Sequence, residues 1–84
     1  MPYKFFLKEV LEEIDQSRNS IAVEAKVRPA SLYDIYHGKM KRIELESFGR
    51  ILDTINMFAE KKGIDKRYTI ESIVRYEYEG EGVN

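Results

Sequence analysis

The chain contains no cysteine and no tryptophan, and it has a single histidine, His37. Without cysteine it can form neither a disulfide framework nor a cysteine-ligated zinc site. One histidine builds a metal site only when several carboxylates converge on it, so we expect no metal and no other cofactor. The sequence also lacks a membrane-length apolar run and a signal-peptide pattern, and we therefore expect a cytoplasmic protein that does not enter a membrane.

The length of 84 residues predicts one small domain. A domain of this size buries only about 60–65 % of the surface of its unfolded chain, so its core must be compact. Apolar residues at helical spacing predict an all-α fold, a bundle of four to five short helices. The helices are expected at 7–14, 18–25, 29–37 and 44–61, with Ser17 as a cap, Pro29 in a first turn, and Gly38 and Gly63 as stops. The aromatic residues Tyr3, Phe5 and Phe6 are expected to pack on the same core.

The segment after Gly63 fits two descriptions. Thr69 is placed to cap a short helix that contains Ile70 and Ile73, but the alternation of apolar residues over 68–78 also fits a strand. We favour a short helix followed by an extended segment. The domain is then expected to span residues 1–75, followed by an acidic, partly extended tail at 76–84.

Positive charge is concentrated in the middle of the chain. Although the formal net charge is −1, residues 26–42 contain five basic side chains and one acidic side chain, Asp34. Taken alone, the basic loop 39–42 also fits an ordinary solvated turn. The helices on either side of the 26–28 turn favour a functional role for this loop, because their apolar residues are spaced as the inward positions of a helix-turn-helix. These inward residues are Ile21, Ala22, Ala25, Val27, Leu32 and Ile35.

The stretch "SRNSIAVEAKVRPASLYDIYHGKMKRIELESFGRIL" resembles the helix-turn-helix of the Cro and phage-repressor superfamily, also called the xenobiotic-response-element type. The resemblance covers about residues 4–75. It implies a lambda-repressor-like domain with the motif at about 17–38 and a recognition helix, about 29–37, in the major groove of double-stranded DNA. It places base reading at Pro29, Ala30, Tyr33 and Asp34. It places phosphate contacts at Ser17, Arg18, Asn19, Arg28, His37, Lys39, Lys41 and Arg42.

The chain departs from the family pattern at two positions. Lys26 occupies the turn where the family usually has glycine. Asp34 stands where the family often has a basic or amide side chain, and a carboxylate there is repelled by phosphate but can accept a hydrogen bond from cytosine N4. With few hydrogen-bonding groups on the helix, we expect part of the specificity to come from DNA shape.

A single short recognition helix reads too few base pairs for useful specificity, which predicts a homodimer on a palindromic operator. The C-terminal third offers the apolar surface for such a contact, although the same residues equally fit a cover over the open end of the monomer core. The expected interface residues are Tyr68, Ile70, Ile73, Val74, Tyr76 and Tyr78.

The function expected from these observations is a sequence-specific transcriptional regulator of bacterial or phage type, expected to act as a repressor. Paired glutamates occur on exposed helix faces, but no nucleophile or pocket accompanies them, so we do not expect an enzyme. The alternative is a protein-interaction module, or an antitoxin-like protein whose C-terminal tail binds a protein partner, that keeps the fold with weak or no DNA reading.

Overall fold

The computed structural model describes residues 2–78 and Gly80, and it is mostly helical with a small two-stranded sheet. The expectation of a mostly helical fold, with short helices followed by an extended segment, is confirmed. The small sheet is an addition that the all-α class did not include. Glu79 and residues 81–84, most of the expected acidic tail, lie outside the described residues. The elements are β1 (Tyr3–Phe5), α1 (Leu7–Ile14), α2 (Arg18–Ala25), α3 (Pro29–Tyr36), α4 (Leu45–Lys61), α5 (Ile70–Ile73) and β2 (Val74–Tyr76).

The sheet joins the two ends of the domain. Strands β1 and β2 are antiparallel, with Tyr3 opposite Tyr76 and Phe5 opposite Val74. The pairing continues beyond the strand, because the backbone N–H of Glu77 donates to the carbonyl of Pro2 over 2.7 Å. Strand β1 was not expected, since three residues are too few for an alternating pattern to stand out. The expected boundary between domain and tail, after residue 75, falls inside β2.

The core lies between helix α4 and the faces of helices α1, α2 and α3. Helix α1 buries residues spaced by three and four, as its sequence pattern predicts. On helix α2 two of the three buried residues, Ala22 and Ala25, are small, which lets helices α3 and α4 pack closely against it. The fully buried large side chains are Leu7, Ile14, Ile21, Leu32, Ile51, Ile55 and Ile73.

Four helices end in the same left-handed turn, at Asp15, Lys26, Gly38 and Gly63. In each turn the next residue donates its backbone N–H to a carbonyl five residues earlier, which satisfies an otherwise free helix-end acceptor. Gly38 is doubly constrained. Its φ is +70°, and a Cβ atom there would lie 3.3 Å from the ring of Phe5. Helix α3 is therefore followed by a stop at Gly38, where the basic loop begins.

Side-chain hydrogen bonds fasten the C-terminal segment onto the helices. Asn56 on α4 accepts from the backbone N–H of Tyr68 over 2.8 Å and donates to its carbonyl over 3.0 Å. The Tyr68 hydroxyl donates to the Glu13 carboxylate on α1 over 2.5 Å. Thr69 and Ser72 then form a capping box that starts α5. Because Tyr68 and Ile73 are buried within the chain itself, neither offers surface to a second copy.

Candidate nucleic-acid interface

Helix α3 presents an exposed face made by its first two turns and its C-terminal end. Leu32 and Ile35 point into the core, and Tyr36 is half-buried. The remaining side chains form what we call the α3 ridge. It consists of Pro29, Ala30, Ser31, Tyr33, Asp34 and His37, all exposed. All four residues expected to read bases lie on this ridge.

Two features of the sequence set the start of helix α3. Arg28, the N-cap residue, is extended and its side chain makes no capping hydrogen bond, while Pro29 occupies the first turn and needs no hydrogen-bond acceptor. The preceding turn at Lys26 is left-handed, with φ 59° and ψ 46°. The structure thus accommodates lysine in a left-handed backbone conformation that glycine adopts at lower cost.

A cluster of cations and aromatic rings joins the start of α2 to the end of α3. The Arg18 guanidinium carbon lies 4.7 Å from the ring centre of Tyr36 and 5.4 Å from that of Tyr33. The Lys39 ammonium lies 5.4 Å from the Tyr33 ring, and the His37 ring lies 4.3 Å from it. Such contacts hold long basic side chains in place while leaving their donors available to a ligand.

One hollow flanks the α3 ridge on the side of helix α2. It is lined by the α2 start and the α3 start, including Ser17, Arg18, Asn19 and Tyr33. Ser17 caps α2 by accepting the backbone N–H of Ser20 over 3.0 Å. The three residues expected to bind phosphate from the start of α2 therefore lie together beside residues expected to read bases.

A second hollow flanks the ridge on the opposite side and is more strongly basic. The turn before α3, the loop after it and the start of α4 form its walls. Glu44, at its rim, accepts the backbone N–H of Ser47 over 3.0 Å, and these hydrogen bonds from Ser47 lower the pKa of the Glu44 carboxyl. The charged residues that line this hollow are Lys26, Arg28, Lys41, Arg42 and Arg50, with Asp34 and Glu44.

Apart from Arg50, the basic side chains around the ridge form no ion pair with the acidic side chains of the described residues. Within residues 2–78 and Gly80, ion pairs join Lys62 to Asp15, Lys66 to Glu13, Arg67 to Glu60, and Arg50 to Glu46. None of the described carboxylates pairs with Arg18 or with any basic residue of 26–42. The surface thus has a local positive charge that the net charge of −1 conceals.

Lys26 and Ser31 belong to this surface although the sequence had assigned neither of them a contact. Lys26, counted within the basic segment 26–42 and as a turn residue, lines the second hollow. Ser31 is exposed on α3 and lines the same hollow next to Asp34. A helical-wheel reading of α3 was sufficient to place Ser31 at the edge of the exposed face. The position of Lys26 required the three-dimensional turn.

The expected dimer residues divide into two groups. Tyr68 and Ile73 belong to the core, and Val74 is half-buried. Ile70, Tyr76 and Tyr78 are exposed. Tyr3, which was expected to pack on the core, is exposed as well, and its ring contacts that of Tyr76 with centres 5.4 Å apart. We call these four exposed residues the C-terminal apolar surface.

Other kinds of site receive no support from the described part of the chain. No three or more histidine, aspartate or glutamate side chains of residues 2–78 and Gly80 cluster so as to hold a metal ion. No helix there combines the length and the apolar character needed to cross a bilayer.

Comparison with protein-family models, with curated proteins and with solved structures gives no match to this chain.

Proposed function

We propose that this protein is a sequence-specific regulator of transcription that binds double-stranded DNA through a helix-turn-helix formed by α2 and α3. The observation that carries the proposal is the exposed α3 ridge, flanked on both sides by hollows. Arg18 and the basic side chains of 26–42 that line them form no ion pair with the carboxylates that the structure describes. The resemblance of residues 17–52 to the Cro and phage-repressor type agrees with this proposal.

In the proposed mechanism the basic side chains and the side chains of the α3 ridge contact different parts of the DNA. Arg18, Arg28 and the basic loop Lys39–Arg42 contact the phosphates of the two DNA strands and fix the orientation of the protein. The α3 ridge enters the major groove, which is wide enough for one α-helix, and contacts base edges. Binding to an operator that overlaps a promoter then represses transcription by excluding polymerase.

The proposed working unit is a homodimer that uses the C-terminal apolar surface. Ile70, Tyr3, Tyr76 and Tyr78 lie exposed next to a two-stranded sheet whose outer edges have no partner strand among the described residues. Tyr3 and Phe5 also line a shallow groove with Lys41 and Arg42, so the sheet adjoins the basic loop. A two-fold contact through this surface would place both basic loops near the dyad.

The experiment that tests the proposal is selection of bound duplexes from a random-sequence pool by the purified full chain. The proposal expects one enriched motif with two-fold symmetry. Recovery of no enriched sequence by a chain that circular dichroism shows to be folded would overturn it. The Lys39, Lys41 and Arg42 triple alanine variant is the matched comparison and should recover the same motif in lower yield, because phosphate contacts strengthen binding without reading sequence.

A second candidate function, a protein-interaction module, is favoured by the C-terminal apolar surface itself. Exposed tyrosines are common where proteins bind one another. A pull-down from the source cell separates the two functions. A stoichiometric protein partner with no recovered DNA favours the module, whereas recovered DNA favours the regulator.

A further inference from the structure

The side chains of the α3 ridge lack the groups that most often read purines. Helix α3, Pro29–Tyr36, contains no arginine, lysine, asparagine or glutamine. Guanine is read mainly by arginine or lysine through O6 and N7, and adenine mainly by asparagine or glutamine through N6 and N7. The basic residues of the surface lie on the elements before and after α3, where phosphates are expected.

The ridge offers an apolar centre instead. Ala30 lies in the middle of the exposed face, one turn before Tyr33 and Asp34 on the same side of the helix. Tyr33 is 45 % exposed, and its ring contacts the side chains of Arg18, His37 and Lys39. The apolar feature of the major groove that such a surface can contact is the C5-methyl group of thymine.

Asp34 adds one polar preference. Its carboxylate is exposed, and no basic side chain within residues 2–78 and Gly80 forms an ion pair with it. An ionised carboxylate only accepts hydrogen bonds, so it is repelled by the acceptors of guanine and is suited to the N4 amino group of cytosine. The basic side chains of the adjoining hollow reduce its repulsion from the nearby phosphates.

We infer that the α3 ridge reads pyrimidines: Ala30 and Tyr33 contact thymine methyl groups, and Asp34 accepts a hydrogen bond from a neighbouring cytosine N4. This inference rests on the proposed DNA binding and specifies its substrate as half-sites with thymine and cytosine on the strand facing the ridge. Because the contact with Tyr33 depends on the shape of the thymine methyl group, removal of that methyl group should lower the affinity for the duplex.

The test uses the duplex selected from the random pool and changes the DNA before the protein. Each thymine is replaced in turn by deoxyuridine, which keeps base pairing and removes only the methyl group. The inference predicts that one or two positions per half-site lose about threefold to tenfold in affinity. The Ala30→Gly variant should bind the thymine and uracil duplexes equally at one of these positions, whereas the control Val23→Ala, at another exposed apolar residue, should still discriminate.

Asp34 is tested by a second selection. Asparagine can both donate and accept, so the Asp34→Asn variant should select adenine where the parent selects cytosine. The control variant Asp53→Asn, an exposed change on α4, should select the parental motif. Tight binding of the parent to a motif with no thymine-to-uracil effect at any position would overturn the inference and leave the proposed function standing. Failure of the parent to bind any duplex would overturn both.

Discussion

The guanidinium of Arg18 lies over the ring of Tyr36, with 4.7 Å between the guanidinium carbon and the ring centre. This contact joins the first residue of α2 to the last residue of α3. It also holds a basic side chain beside the α3 ridge, in a position where the proposed function requires a phosphate contact. Arg18 therefore has two roles: it packs helix α2 against helix α3, and in the proposed function it contacts a DNA phosphate.

Replacement of Arg18 separates these roles. Arg18→Ala should weaken binding to every duplex and reduce the salt slope, the change in log affinity per tenfold change in salt, by about 0.9 because one phosphate contact is lost. Arg18→Lys retains the charge but not the planar stacking group, so it should recover most of the slope. Fluorescence anisotropy with labelled duplex at several salt concentrations provides the measurement. An unchanged slope in Arg18→Ala would contradict the assignment.

The basic loop gives a larger effect of the same kind. Replacing Lys39, Lys41 and Arg42 with alanine should reduce affinity for all duplexes and flatten the salt slope by about two to three units. The melting temperature should change little, because these side chains are exposed and form no ion pair with the described carboxylates.

The matched control for the loop variant removes three positive charges elsewhere. Lys4, Lys61 and Arg67 are exposed and lie on or next to other elements, so their alanine variant carries the same net charge as the loop variant. It should keep nearly the parental salt slope. If both triple variants lost affinity equally, net charge and not the α3 surface would explain binding.

Replacement of Lys26 by glycine should increase the stability of the protein and decrease its affinity for DNA. The left-handed backbone of Lys26, φ 59°, is unfavourable for a lysine, so Lys26→Gly should raise the free energy of unfolding by up to about 1 kcal/mol. The same change removes a charge from the second hollow and should weaken DNA binding. Urea denaturation checks the first effect, and Asp15→Gly, at φ 57°, is the comparison with a smaller expected gain because aspartate tolerates this conformation better. A less stable Lys26→Gly protein would contradict the prediction.

Stability at high pH should depend on Tyr68. Burial, with a smaller contribution from the hydrogen bond to Glu13, raises the pKa of Tyr68 from 10.0 to about 12. The folded state therefore binds the phenolic proton more tightly than the unfolded state, and stability that is complete below pH 10 is lost as the pH rises towards 12. In Tyr68→Phe this part of the decline should disappear. Thermal melts of both proteins between pH 8 and 12 make the comparison, and parallel curves would contradict the prediction.

The same pair predicts an effect in acid. The hydrogen bond from Tyr68, and then that from Lys66, lowers the pKa of the Glu13 carboxyl. Glu13 thus contributes stability above its ordinary pKa of 4.5 that is lost as the pH falls below that value. The melting temperatures of the parent and of Glu13→Gln, measured between pH 3 and 7, should become equal at the acid end of this range. A constant difference across this range would contradict the assignment.

The proposed dimer is best tested by substitution. A chain ending at Gly63 would lose Tyr68 and Ile73 from the core, so truncation would disturb folding itself. Ile70→Lys with Tyr76→Lys places like charges on the C-terminal apolar surface and should convert a dimer into a folded monomer with weaker operator binding. Light scattering gives the mass, and Val23→Lys, at an exposed apolar residue on α2, is the control that should stay dimeric. A monomeric parent that binds as one copy per operator would defeat the proposal.

The helices were largely predictable because each has a local signal. Apolar spacing defines α1 and α4, Ser17 caps α2, Pro29 begins α3, and Gly38 ends it. The sheet was not, because β1 and β2 have three residues each and their pairing joins residues about seventy positions apart. Tyr68 was assigned to an interface for a similar reason. Its buried position depends on hydrogen bonds to Asn56 and Glu13, which cannot be predicted from the sequence around Tyr68.

The positions of the candidate site residues were predictable to the extent that they follow from one helix. The exposed face of α3 can be derived from its periodicity, and so Ala30, Tyr33 and Asp34 were placed together. The stacking of Arg18 on Tyr36, and the entry of Lys26 into the second hollow, depend on how α2 and α3 pack against each other.

The salt dependence of binding to the pool-selected duplex tests the central claim most directly. Affinity of the purified full chain is measured by anisotropy across a tenfold range of salt. With five or more phosphate contacts, log affinity should fall with a slope steeper than about −4 against log salt concentration. The Lys39, Lys41 and Arg42 variant should give a clearly shallower slope. A flat response in the parent, or the same slope in both proteins, would contradict the account.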